Sequence, residues 1–419
     1  MPVNRMVLNE TAYFGKGAVD FIADEMKKRN FRSAFVVTDK ELVECQVTGH
    51  VTDVLERENI KYGIYDDIKP NPTIENVQNG VKEFQRDKWD CIIAVGGGSV
   101  IDTAKAIGII HKNPDFSDVR VLEGVADTKN RSMPVIAVPT TAGTAAEVTI
   151  NYVITDNENK KKLVCIDTND IPVLAIVDSD LMKSMPTKLA ASTGMDALTH
   201  AIEGYTTKGA WELSDTLSLK AIRLIASNIV NAVKGREETA IESMGLAQYM
   251  AGMAFSNVGL GLVHGMAHPL GARYDTPHGI ANALLLPYVM EFNADSTGEK
   301  YRFIAQAMGV KNTDKMSEKE YRKAAVDAVK KLVKELALPS TLKEINIPDI
   351  ELKQLAEDAH NDVCTPGNPK KVTKEQILCI YQKAYSKDNN VSEGDSKTGI
   401  NKTYSDKSIN PADSPQKEI

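Results

Sequence analysis

Residues 91–108 read CIIAVGGGSVIDTAKAIG. An apolar, β-branched run comes first, then three glycines, then apolar residues at helical spacing. That is a strand, a loop and a helix start. Without side chains, Gly96, Gly97 and Gly98 let backbone amides approach a pyrophosphate. The helix N-terminus that follows favours its negative charge. The spacing is neither GxGxxG nor GxxxxGKS, and a tight strand-to-helix turn with no ligand would look the same. Asp102, just inside the helix, has an ordinary role in compensating the helix dipole.

The same rhythm extends outward on both sides. Upstream, residues 5–9 (RMVLN) read as a short strand before a turn at Phe14–Gly17. A helix carrying Val19, Phe21, Ile22 and Met26 follows. SAFVVTDK (33–40) reads as a buried strand ending in Asp39. A helix near 41–58, the strand KYGIYDDI, a rigid Lys69–Thr73 loop and a helix at 74–87 come next. Downstream, PVIAVPTTAGTAAEVT (134–149) is another strand ending in a loop of small residues. Strand and helix in alternation predict an open, mostly parallel sheet. Ligands of such sheets lie beyond the carboxyl ends of the strands. Asp39, the Gly96–Ser99 loop and Thr140–Thr144 should share that edge. A carboxylate at position 39 can accept both ribose hydroxyls and repel a 2′-phosphate, favouring NAD over NADP. An exposed turn aspartate would be the plainer account. Thr140, Thr141 and Thr144 can grip phosphates or ribose, or cap a helix.

After about Pro186 the texture becomes helical, over 188–208, 212–233, 238–258, 259–270, 279–295, 298–309, 317–337, 350–360 and 373–385. The expected organisation is an α/β dinucleotide-binding domain over 1–185 and an all-helical metal-binding domain over 186–385. The tail 386–419, poor in apolar residues, is expected to be disordered.

The helical half holds the metal-ligand candidates. Residues 259–278 read GLGLVHGMAHPLGARYDTPH and contain His264, His268 and His278, three of the chain's seven histidines. Upstream, TGMDALTHAIEG places Asp196 four residues before His200. Asp196/His200 and His264/His268 each share one helical face. A break at Pro269–Gly271, with Pro277, would let the chain fold back so that His264 and His278 converge. A carboxylate with imidazoles suits a divalent transition metal, Fe²⁺ or Zn²⁺. Five donors exceed a tetrahedral set with an open position, so His268 is assigned beside the set, near the substrate. Any one histidine alone would more simply be a core or surface residue. Such a cation polarises a carbonyl during hydride transfer. Asn151, Phe255 and Cys364 are further candidates, for a small substrate pocket, although a capping Asn, a core Phe and a buried structural Cys are the plainer readings. Lys162, from the basic Lys160–Lys162 run, could reach a cofactor hydroxyl or face solvent.

Composition sets the surroundings. At 419 residues, with 42% hydrophobic and 26% charged residues, the chain is an ordinary globular protein. A net charge of −7 and the lack of a basic patch argue against nucleic acid. No apolar run approaches the roughly 20 residues of a membrane span, and the beginning, MPVNRMVLNET, lacks a signal-peptide profile. Five scattered cysteines, 45, 91, 165, 364 and 379, without CxxC, suit a reducing cytoplasmic setting.

Together GGGSVIDTAKAI, IAVPTTAGTAAEVT, TGMDALTHAIEGY and GLVHGMAHPLGARYDTPHGIANALLLP resemble the iron-containing (group III) alcohol dehydrogenase family. The likeness runs from about residue 3 to residue 385. It implies metal ligation by Asp196, His200, His264 and His278, with His268 an additional active-site histidine. It places Gly97, Gly98, Ser99 and Asp102 at the cofactor diphosphate and nicotinamide, and Thr140, Thr141 and Thr144 in a second cofactor loop. Asp39 falls at the position that sets NAD preference, Asn71 at an adenosine contact, and Asn151 and Lys162 on the nicotinamide side. A homodimer paired through the N-terminal strand is implied too. Val100-Ile101 stands where relatives often carry Pro-Gln, and the tail has no counterpart. The implied activity is NAD- and Fe²⁺-dependent reversible reduction of a small aldehyde to its diol, with Zn²⁺ as the other metal. A broader primary-alcohol, butanol or 1,3-propanediol dehydrogenase is the other reading within the family.

Overall fold

Alternate residues of the central strands face opposite cores. The computed structural model describes residues 3–386; 387–419, on which nearly all of the expected disorder falls, lie outside the described residues. Strands β1 (Thr11–Phe14), β2 (Ser33–Val37), β3 (Lys61–Tyr65), β4 (Cys91–Gly96), β6 (Val135–Pro139) and β9 (Leu174–Val177) form a six-stranded sheet, ordered β1-β9-β6-β4-β2-β3 and parallel throughout. On β2 and β4, Phe35, Val37, Ile92 and Ala94 pack on one side against Ile101, Ala104 and Ile107. Ala34, Val36, Cys91, Ile93 and Val95 pack on the other, against Ile22, Met26, Val51 and Leu55. Burial on both faces is why these strands read as unbroken apolar runs.

After β2 the chain moves outward to β3, whereas after β4 it moves the opposite way to β6. The crevice at the carboxyl ends of β2 and β4 is therefore the switch point of the sheet, where ligands of such folds bind. Pairing of Gly96 with Pro139 sets the glycine loop beside the threonine loop, and the Thr140 amide donates to the Gly96 carbonyl at 3.1 Å.

A second, smaller sheet was not foreseen. β7 (Asn151–Asp156) and β8 (Lys161–Ile166) form an antiparallel hairpin, with β5 (Gly124–Val125) on its edge. From Thr187 onward the chain is helical, around a core that also takes in Ala142, Ala145, Val148, Ala175 and Val177 of the sheet half. Sheet and helices pack within one unit, Met1–Lys387.

Three local expectations need correction. The first strand is Thr11–Phe14, not residues 5–9. In that earlier segment the Val7 amide is taken by the Asn257 side chain (2.7 Å), and Asn9 donates to the Glu147 and Pro172 carbonyls, so side chains replace a ladder. The helix expected at 41–58 is two, Lys40–Glu44 and Gly49–Arg57, interrupted where Gln46 adopts a φ of 59°. Pro269 does not break its helix, which runs from Leu262 to Tyr274. The reversal lies instead at Asp275, with a φ of 53°, ahead of Pro277.

Candidate metal and cofactor site

The helix Thr187–Thr206 carries Asp196 and His200 one turn apart on a buried face, 2% and 4% exposed. The helix Leu262–Tyr274 supplies His264, and His278 opens the next helix, His278–Asn293. One ligand atom from each of Asp196, His200, His264 and His278 lies within 4.8 Å of the others. Asp196 Oδ1 is 3.5 Å from His278 Nε2, and Asp196 Oδ2 is 3.8 Å from His200 Nδ1.

Asn282, fully buried one turn after His278, tests whether this set fits a cation. Its Nδ2 lies 2.6 Å from Asp196 Oδ1, 3.2 Å from His264 Nε2 and 3.0 Å from His278 Nε2. The three acceptors thus converge on one electropositive group. His200 Nδ1 is buried beside them without a hydrogen-bond partner. Burial holds His200 and His264 below the usual imidazole range and brings His278 down to about 4. Neutral imidazoles and a carboxylate are what Fe²⁺ or Zn²⁺ requires.

Three residues that the sequence reading missed orient the set. Glu203 Oε2 lies 2.6 Å from His264 Nδ1, and its carboxylate also accepts the Val263 amide at 2.7 Å. Burial pushes this carboxyl up to about 7, a shift that a nearby cation would oppose. Asn282 is the second. Asp362 is the third, with Oδ2 2.8 Å from His268 Nδ1. Helical spacing held the signal for two of them: Glu203 falls seven residues after Asp196, and Asn282 four after His278. His268 stands beside the four-donor set, its ring stacked 5.6 Å from that of His278. Phe255 stacks on His200, with centroids 4.3 Å apart.

The cofactor candidates gather in two places. At the switch point, a Cβ on Gly97 would meet Thr141 at 3.3 Å, and one on Gly98 would lie 2.7 Å from Thr144 Cγ2. The Gly143 backbone packs against Thr193, on the helix of Asp196 and His200. Ser99 is half-buried in the first turn of the helix Gly98–Lys112. Asp39 caps the helix Lys40–Glu44 by accepting the Leu42 amide at 2.9 Å. Asp102 is half-buried, raised to about 6 by desolvation, and accepts the Val153 amide of the hairpin at 3.0 Å. The second place joins Asn71, Lys162 and Asp275. Asn71 Nδ2 donates to Asp275 (2.5 Å), and Lys162 Nζ donates to Asn71 Oδ1 and Thr155 Oγ1, both at 2.8 Å. Lys162, brought to about 8 by burial, packs over Gly271 of the histidine helix. Asn151 is half-buried at the start of β7, its carbonyl held by the buried Lys105 ammonium at 3.0 Å. Cys364 stands with His268 and Asp362.

Comparison with known proteins places this geometry. The iron-containing alcohol dehydrogenase pattern matches residues 9–179, and that of the Fe-containing alcohol dehydrogenase family, C-terminal, matches 190–385. The chain belongs to the iron-containing alcohol dehydrogenase family. Like its relatives, this alcohol dehydrogenase is an oxidoreductase. It is 55% identical over 382 residues to the lactaldehyde reductase of Escherichia coli strain K12, covering 91% of this chain and all of that protein. The crystal structure of a 1,3-propanediol oxidoreductase superposes with a TM-score of 0.88 at 37% identity, covering 92% of this chain and all of the other. A sulfoacetaldehyde reductase from Bifidobacterium kashiwanohense, solved in complex with NAD⁺, superposes with a TM-score of 0.82 at 28% identity, covering 93% of this chain and all of that one. No described helix of this alcohol dehydrogenase is long and apolar enough to cross a membrane.

Proposed function

We propose that this alcohol dehydrogenase is an NAD- and Fe²⁺-dependent reductase that converts lactaldehyde to 1,2-propanediol, reversibly. The observation that carries the reading is the convergence of Asp196, His200, His264 and His278 from three helices, the first of which packs against the threonine loop of the sheet edge. The substrate rests on the 55% identity to lactaldehyde reductase. NAD rests on Asp39 after β2 and on the NAD⁺-bound relative. When bound, the cation would supply Lewis acidity to the carbonyl oxygen and the nicotinamide a hydride to its carbon.

The chain's own residues do the rest. Glu203 and Asn282 turn the lone pairs of His264, His278 and Asp196 to one point. Asp362 takes the Nδ1 side of His268, leaving Nε2 to hold or pass on a proton. Phe255 covers one side of His200 with an apolar ring, and Asn151, half-buried at the start of β7, is assigned to the substrate pocket. We further place the protein in the cytoplasm as a homodimer. The reduced setting is supported by five unpaired cysteines. The dimer is supported by β1, an edge strand bonded to β9 alone in its sheet.

The test is anaerobic NADH oxidation with L-lactaldehyde, using protein reconstituted separately with Fe²⁺ and Zn²⁺. Turnover with Fe²⁺, lost together with bound metal in Asp196→Ala, supports the reading; full activity in metal-free protein defeats it. The 1,3-propanediol oxidoreductase likeness favours a second reading, and faster turnover of 3-hydroxypropanal or butanal would establish that one instead.

A further inference from the structure

Beside the four-donor set lies a second group of ligating side chains with different chemistry. One donor atom from each of His268, Asp362 and Cys364 lies within 4.8 Å of the other two. The His268 and Asp362 side chains are 7% and 10% exposed. The first set offers nitrogen and oxygen only, whereas this one offers nitrogen, oxygen and sulfur.

The trio is held in place before any ion arrives. Asp362 follows the helix Leu352–Asn361, and its Oδ1 accepts the Cys364 amide at 2.8 Å while Oδ2 meets His268. That turn is tied back by Thr365, whose hydroxyl donates to the Ala359 carbonyl at 2.6 Å. Thr365 also lies against Gly265, one residue after His264, where a Cβ would be 2.1 Å from the Thr365 hydroxyl. A side chain at 265 would push this turn off the helix that carries His268.

We propose that His268, Asp362 and Cys364 form a second cation site, taking a thiophilic divalent ion such as Zn²⁺ or Cd²⁺. Three protein ligands and one open position make a familiar arrangement for such ions. The sulfur sets the preference, since thiolate selects Zn²⁺ and Cd²⁺ over Fe²⁺ or Mg²⁺. Binding releases the Cys364 thiol proton to solvent, and the imidazole proton moves to Nε2 as Nδ1 takes the ion. His268 then loses its free lone pair, so the occupied site also blocks whatever proton transfer runs through that ring.

The test is a Cd²⁺ titration of the Fe²⁺-loaded protein under anaerobic conditions, followed by the ultraviolet thiolate-to-cadmium absorption band. One equivalent should bind with the band. The band should persist in Asp196→Ala, because the first set holds no sulfur. It should vanish in both Cys364→Ser and Cys364→Ala, checked for folding by circular dichroism, and weaken roughly 10–100-fold in affinity in Asp362→Asn. Cys45 and Cys379, both exposed, remain in every variant. A band that survives removal of the Cys364 thiol, or no band at excess Cd²⁺, overturns the proposal.

Discussion

Glu203 Oε2 and His264 Nδ1 face each other at 2.6 Å, both side chains buried. The contact fixes the His264 tautomer, so that Nε2 points its lone pair at the cation position, and it makes that nitrogen more basic. Glu203→Gln removes the charge and keeps an acceptor. Metal affinity should fall roughly 10–100-fold. Glu203→Ala should also destabilise the fold, since His264 Nδ1 and the Val263 amide each lose a partner, at about 1–3 kcal/mol apiece. Chelator competition with melting curves separates the two effects. Unchanged affinity in Glu203→Gln would mean that Glu203 only packs.

Gly98 faces Thr144 across the switch point with no room for a side chain. Gly98→Ala should displace the threonine loop at a cost of about 1–3 kcal/mol. The loss should fall on the cofactor, as a KM for NADH raised roughly 10–100-fold, with metal content unchanged. The nearest obstacle is the Thr144 methyl at 2.7 Å, so Thr144→Ser in the same chain should restore part of the loss. Absence of any rescue would place the damage elsewhere.

Asp39 has two separable jobs. As a helix cap it accepts the Leu42 amide, and Ser caps about as well as Asp. As a charge it opposes a 2′-phosphate. Asp39→Ser should therefore melt within about 0.5 kcal/mol of the parent while gaining activity with NADPH. Steady-state kinetics with both cofactors decide it. Unchanged discrimination would leave Asp39 as a cap and nothing more.

The sheet was legible where burial on both faces leaves an unbroken apolar run, as in β2 and β4. The long helices were legible from their period, including Glu238–Val258, which matches the expected range closely. The hairpin β7–β8 was not, because it lies outside the strand-then-helix rhythm and its turn is an unremarkable polar run ending in Lys160 at a φ of 50°. Pro269 misled for a physical reason. Proline removes one helical hydrogen bond and usually kinks a helix, yet here the helix is walled in by the segments of Ala359 and Thr365 and carries on. The four metal-ligand candidates stood out by residue type. Glu203 and Asn282 did not, because their signal lay only in helical spacing from Asp196 and His278, and Asp362, just past the end of its helix, had none: its role comes only from what it touches.

Lys162 gives the pH-dependent prediction. Its half-buried ammonium donates to Asn71 and Thr155 near Asp275, and desolvation lowers it to about 8 from an ordinary value of 10.5. Below about 8 both folded and unfolded chains hold the proton, and folding bears the full cost of burying the charge. Between about 8 and 10.5 the unfolded chain holds more protons than the folded one, so this contribution makes stability rise with pH. Above that range both forms are neutral and the penalty is gone. The relief is at most about 3.4 kcal/mol, from 1.36 kcal/mol per unit, and solvent screening of the half-buried ammonium reduces it. Lys162→Met removes the titration, while its lost hydrogen bonds to Asn71 and Thr155 add an offset that hardly varies with pH. Urea unfolding of both proteins across this window should show the parent gaining on the variant as pH rises. Parallel profiles would mean that water reaches the Lys162 ammonium freely and that the lysine stays charged throughout.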